Sequence, residues 1–115
     1  MRIDSSSPMA PMPDNHNHLA LKEITSLSQN ILDYSIQGGY QMAQKELTKL
    51  IKEFDHLEKN NANLQNNSRE IDISTTSIQD SITNLSNNCP SPSVELKNID
   101  QETAYLIDLA KKSLQ

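Results

Sequence analysis

The fold is decided by residues 43–85, AQKELTKLIKEFDHLEKNNANLQNNSREIDISTTSIQDSITNL, which are rich in Asn, Ser and Thr yet carry apolar side chains at regular intervals. Alternating steps of four and three residues from Ala43 to Leu85 reach thirteen positions. Ten of these are apolar, where the chain's 35% hydrophobic content would give four or five. We call the thirteen positions the heptad seam; its d positions are Ala43, Leu50, Leu57, Leu64, Ile71, Ile78 and Leu85, and its a positions are Leu47, Phe54, Asn61, Ser68, Thr75 and Ile82. An unbroken repeat predicts one long helix over residues 40–88, about 70 Å in length, with a partner helix along the seam.

Three consecutive a positions of the seam are polar, namely Asn61, Ser68 and Thr75, while the neighbouring d positions remain Leu or Ile. A buried Asn in such a layer lowers stability but specifies helix alignment, because only the correct arrangement pairs its amide. The alternative is that these residues are simply weak layers of a loosely packed helical assembly. About half of residues 60–88 are Asn, Ser or Thr, which favour caps and turns over helix interiors. We therefore expect this half to become helical by packing on a partner.

The two glycines of the chain are adjacent, at Gly38 and Gly39, and the apolar phase changes at this point. Each glycine costs about 1 kcal/mol in a helix interior relative to Ala. The pair predicts a hinge between two helices; the alternative is a kink within one continuous helix.

The rest of the chain predicts further helices and loops around the long helix. Pro90 and Pro92 cannot continue a helix, so they indicate a loop. The expected elements are a disordered N-terminal tail over residues 1–17, a helix over 18–37, a Pro-containing loop over 87–93 and a C-terminal helix over 94–115. The predicted fold is all-α: an elongated coiled-coil or helical-bundle subunit with one helical region over residues 18–115.

Composition excludes several classes of function. The 115 residues carry a net charge of −5 and leave no basic stripe for phosphates, so we expect no nucleic-acid partner. No stretch approaches about 18 consecutive apolar residues, so we expect no membrane insertion. The single cysteine, Cys89, cannot form an intramolecular disulfide and suits a reducing compartment, so we expect an intracellular protein of the cytoplasm or nucleus.

Few residues offer chemistry. His16 and His18 fall in the predicted tail without a Cys partner, which is a weak metal pattern. Nothing in the sequence places Cys89 beside His56 as a nucleophile and its base. Glu70 and Asp72 point to different sides of a helix, so they form no acid/base pair. We therefore expect no enzyme activity, no catalytic or metal site, no cofactor and no small-molecule ligand.

The function expected is that of a non-enzymatic coiled-coil subunit that scaffolds a larger hetero-oligomeric complex through the heptad seam. In architecture alone the chain resembles the small helical subunits of eukaryotic tethering, adaptor, kinetochore and transcription-coactivator complexes. Two alternatives stay open: a bacterial secretion-apparatus component or small helical secretion chaperone, and a homo-oligomeric structural or filament subunit. The expected partners are other helical protein subunits, and the expected interface residues are Leu47, Leu50, Phe54, Leu57, Asn61, Leu64, Ile71, Ile78, Ile82 and Leu85, with a hinge at Gly38 and Gly39.

Overall fold

The computed structural model describes residues 12–88 and 90–114 of the chain. It has five helices in this part: α1 (Met12–Gln37), α2 (Tyr40–Glu58), α3 (Ala62–Asn66), α4 (Ser68–Ser86) and α5 (Pro92–Leu114). No strand occurs among the described residues, and the prediction of an all-α fold is confirmed.

The N-terminal boundary differs from the sequence-based expectation. The tail was expected to reach residue 17, but α1 already begins at Met12, and the preceding residues 1–11 lie outside the described part. Pro13 is compatible with this early start, because the first turn of a helix has no intrahelical use for the N–H group that proline lacks.

The chain reverses at the glycine pair. Gly38 has a φ of +84°, a conformation that side chains with a Cβ rarely adopt. The N–H of Gly39 donates to the carbonyl of Tyr34 at 2.8 Å, and the N–H of Gly38 donates to the carbonyl of Ser35 at 3.4 Å. These two bonds form a Schellman ending for α1. The pair therefore forms a turn between two separate helices, and α2 packs back along α1.

The prediction of one unbroken helix over residues 40–88 is wrong. The chain leaves the helix after Glu58, and Asn61 adopts an extended conformation with φ −139° and ψ 108°. The side-chain oxygen of Asn61 accepts a hydrogen bond from the backbone N–H of Leu64 at 3.0 Å, so Asn61 caps the start of the short helix α3. Five asparagines between residues 60 and 67 favour such local bonds over a continuous helix. The segment is divided into α2, α3 and α4 as a result.

The second loop is shorter than predicted. Helix α4 ends at Ser86, and Asn88 has a φ of +59°. Helix α5 then begins at Pro92, two residues before the expected start, because proline fits the first position of a helix. Cys89 lies outside the described residues.

The four long helices pack around one apolar core, and we call this arrangement the four-helix unit. Helix α1 packs against α2 and α5, and α4 packs against α2 and α5. Asn61 donates to the carbonyl of Ser113 at 2.9 Å, so the end of α5 lies beside the connection between α2 and α4. The start of α1 and the end of α2 line one groove at the same end of the molecule. Neighbouring helices in the unit therefore run antiparallel.

The core also contains six buried Ser and Thr side chains, and three of them, Ser35, Thr75 and Thr103, donate to carbonyls of their own helix. Thr75 donates to the carbonyl of Ile71 at 3.0 Å, and Thr103 donates to that of Ile99 at 2.8 Å. Ser74 and Ser81 bond to side chains of α5 instead, and the buried hydroxyl of Ser28 has no hydrogen-bond partner among the described residues. These positions bury less apolar area than larger apolar side chains would.

Candidate interaction surface

The heptad seam lies inside the chain rather than on its surface. Among the expected interface residues, Leu57 and Asn61 are half-buried, and the others are buried in the core: Leu47, Leu50, Phe54, Leu64, Ile71, Ile78, Ile82 and Leu85. Helices of the same chain cover these side chains, because the break around Asn61 lets α4 fold back beside α2. In the single chain the seam is therefore covered by the chain's own helices, and a partner helix along it stays a prediction.

Asn61 has a different role from the one predicted. It does not form a polar layer between helices, because its backbone is extended and its oxygen caps α3. Its amide nitrogen instead bonds to the carbonyl of Ser113, and the neighbouring Asn63 donates to the hydroxyl of Ser113 at 2.6 Å. These bonds attach the end of α5 to the connection between α2 and α4.

Acidic residues outnumber basic residues over the middle part of the α4–α5 pair. Residues 70–108 contain seven Asp or Glu and one Lys, so they carry a net charge of −6. The remainder of the chain contains eight Asp or Glu and nine Lys or Arg, so its net charge is +1. Arg69 at the start of α4 and Lys111 and Lys112 at the end of α5 partly offset these acids, so the two whole helices carry a net charge of −3.

Three large apolar side chains are exposed on α4 and α5, namely Val94 near the start of α5 and the pair Ile73 and Tyr105. Ile73 on α4 is 60% exposed and Tyr105 on α5 is 40% exposed. Both line a shallow depression of about 210 Å³ together with Glu70 and Glu102. A second depression of about 410 Å³ on the outer face of α4 shares Ile73 and also includes Asp72, Thr76, Ser77 and Asp80. We call the two depressions together the α4–α5 groove.

Polar bonds between the two helices fix the geometry of the groove. The hydroxyl of Ser74 donates to a carboxylate oxygen of Glu102 at 2.8 Å. Further along the pair, the amide of Asn98 donates to the hydroxyls of Ser77 at 2.9 Å and Ser81 at 2.8 Å. Because these bonds set the register of α4 against α5, they hold Ile73 in position relative to its neighbours on α5.

The carboxylates of the groove are not neutralised within the described part of the chain. There, no Lys or Arg nitrogen lies within 4 Å of Glu70, Asp72, Asp80 or Glu102. The ion pairs found among the described residues are Lys49–Glu46 at 3.0 Å and Lys112–Asp108 at 3.1 Å, and neither involves a groove carboxylate. The negative potential of the groove is therefore available to a basic partner.

A separate polar cluster joins α1 to α2. Glu46 is buried and accepts a hydrogen bond from the amide of Asn30 at 2.8 Å. This bond is the main reason why the pKa of Glu46 lies below its ordinary value; burial opposes the shift, and the nearby Lys49 ammonium adds to it. The hydrogen bond from the Lys49 ammonium to the Glu46 carboxylate in turn raises the pKa of Lys49. The cluster fixes the α1–α2 pair and has no partner-binding geometry of its own.

The other residues considered for chemistry are not assembled into a site. His16 and His56 line one groove of about 560 Å³ between α1 and α2, whereas His18 lines a different groove beside Lys111. In residues 12–88 and 90–114, no three His, Cys, Asp or Glu side chains come close enough to share a metal ion. Glu70 and Asp72 lie in different depressions of the α4–α5 groove.

Sequence reasoning overlooked the residues that distinguish this surface. Ile73 falls outside the a and d positions of the repeat, where an apolar side chain serves no core function. That position, together with the acidic bias of residues 70–108, was the available signal for the groove.

Comparison with known proteins adds no relative from which to transfer a role. The chain matches no protein-family model, no curated protein and no solved structure. None of the helices in the described part is both long and apolar enough to cross a membrane.

Proposed function

We propose that the protein is a non-enzymatic helical subunit that holds a larger hetero-oligomeric protein assembly together. Its partners are other helical proteins, and its place is the cytoplasm. The heptad seam closes the chain's own core in a coiled-coil-like manner, and the outer face of α4 and α5 makes the contact with the partner.

The observation that carries this proposal is the pair of exposed apolar side chains, Ile73 and Tyr105, on one side of the four-helix unit. Single exposed apolar residues are ordinary on protein surfaces. Two of them on adjacent helices, lining a common depression with a polar rim, are typical of the centre of a protein–protein contact. Tyrosine at such a place supplies large contact area at a small cost in conformational entropy.

The composition of the core supports the same proposal. Ser28, Ser35, Ser74, Ser81, Thr75 and Thr103 occupy buried positions that larger apolar residues fill in a stronger core. A partner that binds only the folded chain stabilises it by mass action. A small helical protein with such a core gains stability when it is incorporated into an assembly.

The test is native mass spectrometry of the chain purified by an affinity tag from its own cells. The proposal predicts a defined stoichiometric complex with helical proteins, in which the 12.9 kDa chain is one subunit. A chain recovered only as a monomer would refute it. A polymer of identical copies would instead support a structural filament, and a partner set of secretion-apparatus proteins would support the secretion alternative.

A further inference from the structure

We propose that the α4–α5 groove binds one amphipathic helix of a partner protein, whose apolar stripe is flanked by Lys and Arg. The inference rests on the proposed function, because it names the kind of partner that the subunit would join. Its apolar component is Ile73 with Tyr105, and its charged component is the set of carboxylates around them.

The apolar component favours a helix as the bound element. A helix presents side chains at i, i+3, i+4 and i+7 on one face, and such a stripe can cover an apolar pair on two adjacent helices. The depressions are shallow and open, so they suit the side chains of a helix lying on the surface better than an enclosed small molecule. Burying a side chain the size of Ile contributes about 1.5–3 kcal/mol, which is enough to dominate a contact of this size.

The carboxylates of the groove determine which charge the partner helix should carry. Glu70 and Glu102 lie beside the apolar pair, and Asp72 and Asp80 lie beside Ile73 on the outer face of α4. A neutral or acidic helix would bring its own side chains against these carboxylates and gain nothing from them. Lys or Arg on either side of the apolar stripe would pair with the carboxylates and accelerate encounter at low salt.

A second copy of the same chain is a poorer occupant than a basic helix. In a symmetric dimer formed by this face, like charges would meet, since carboxylates and no Lys or Arg line the two depressions of each copy. Charge complementarity therefore points to a different protein.

A synthetic helix tests the proposal on the full-length chain. The basic peptide is a 21-residue sequence of three heptads with Leu at the a and d positions, Lys at e and g, and Gln elsewhere. The acidic peptide is identical except that Glu replaces Lys. Fluorescence anisotropy is expected to show at least about tenfold tighter binding of the basic peptide at low salt, and this difference should shrink as salt rises.

Matched variants localise the binding. Ile73→Ser combined with Tyr105→Ser should weaken binding of the basic peptide at least about tenfold, because the apolar contact is lost. Glu70→Gln combined with Glu102→Gln should weaken it about threefold to tenfold at low salt and reduce its salt dependence. The control is Leu19→Ser combined with Glu23→Gln, which removes an exposed apolar side chain and a carboxylate from α1 and should change affinity less than about twofold.

Circular dichroism confirms that each variant remains folded before its affinity is compared. Equal binding by all variants, or equal binding of the two peptides, would overturn the proposal. A wild-type dimer that the Ile73 and Tyr105 changes dissociate would overturn it in favour of a second copy as the occupant. The outcome is separable from the proposed function: a stoichiometric complex from cells that is unaffected by these changes keeps the subunit role but places its contact elsewhere.

Discussion

Replacing Asn61 by Leu distinguishes the observed fold from a continuous coiled coil through the sign of its effect. In an unbroken heptad helix, Leu at this a position would fill an apolar layer and raise the free energy of unfolding. In the structure, Asn61 is the N-cap of α3 and bonds to Ser113 at the end of α5. The substitution then removes both interactions and leaves the carbonyl of Ser113 without this donor.

The magnitude follows from the two lost contacts. An N-cap replaced by an aliphatic residue costs about 0.5–2 kcal/mol, and a typical intramolecular hydrogen bond contributes about 0.5–1.5 kcal/mol. We expect Asn61→Leu to lower the free energy of unfolding by about 1–3 kcal/mol. For a domain of this size, a loss of 1 kcal/mol lowers Tm by roughly 4–8 °C.

Urea unfolding monitored by circular dichroism measures the change directly. Asn61→Ser is the matched variant, because its hydroxyl oxygen still serves as an N-cap for α3 while the amide donor to Ser113 is lost. It should therefore cost less than Asn61→Leu. Asn66→Leu, at an exposed position of α3, controls for the general effect of the substitution. An increase in stability for Asn61→Leu would refute the reasoning and favour the continuous helix.

Three further tests, two of them with a matched control substitution, address the packing within the unit. Gly38→Ala should lower the free energy of unfolding by about 1 kcal/mol in a thermal melt, because the φ of +84° strains any residue with a Cβ. Gly39→Ala is the control and should lower the free energy of unfolding less, because its added Cβ meets the nearest atom at an ordinary 3.5 Å. Ser28→Ala should leave the free energy of unfolding unchanged or raise it by up to about 1 kcal/mol, because the buried hydroxyl has no partner among the described residues. Ser35→Ala is the control and should not stabilise, because it loses a hydrogen bond to its own helix. Equal effects of the two changes would contradict this reasoning. The pKa of Glu46 is lowered in the fold, so the ionised carboxylate stabilises the fold above the unfolded pKa of 4.5, and this stabilisation is lost as pH falls through the folded pKa. Glu46→Gln should therefore make the free energy of unfolding depend less on pH on the acid side. An unchanged dependence would show that another carboxylate controls it.

The turn at the start of α2 could be predicted from the sequence because its cause is local. Two adjacent glycines and a change of apolar phase mark a place where only glycine fits the left-handed conformation without strain. The all-α fold class was predictable for a similar reason, since apolar spacings of three and four residues extend over most of the chain.

The break around Asn61 could not be predicted from periodicity. Leu57, Leu64 and Ile71 keep the heptad spacing through the break, because each helix on either side must still turn its apolar face to the same core. A pattern of burial therefore does not distinguish a helix that continues from one that folds back. The asparagines between residues 60 and 67 carried the missing information, through their preference for caps and turns.

The candidate site was missed because its signals are relative rather than local. Ile73 is recognised as a surface residue only when the heptad repeat assigns its neighbours to the core. Tyr105 is recognised as lying near Ile73 only when α5 is known to pack beside α4. The excess of acidic over basic residues between positions 70 and 108 is present in the sequence, but these carboxylates come together on one surface only when helices α4 and α5 pack side by side. Most residues of the predicted interface lie in the core of the single chain.

Small-angle X-ray scattering of the isolated chain, combined with analytical ultracentrifugation, tests most directly whether the heptad seam closes within one chain. The account predicts a helical monomer with a radius of gyration close to the 16.7 Å of the Cα trace. An unbroken helix over residues 40–88 would be a rod of about 73 Å, whose radius of gyration alone is about 21 Å. A helical dimer or trimer with such a rod, or a chain that is unfolded until a partner is added, would contradict the account.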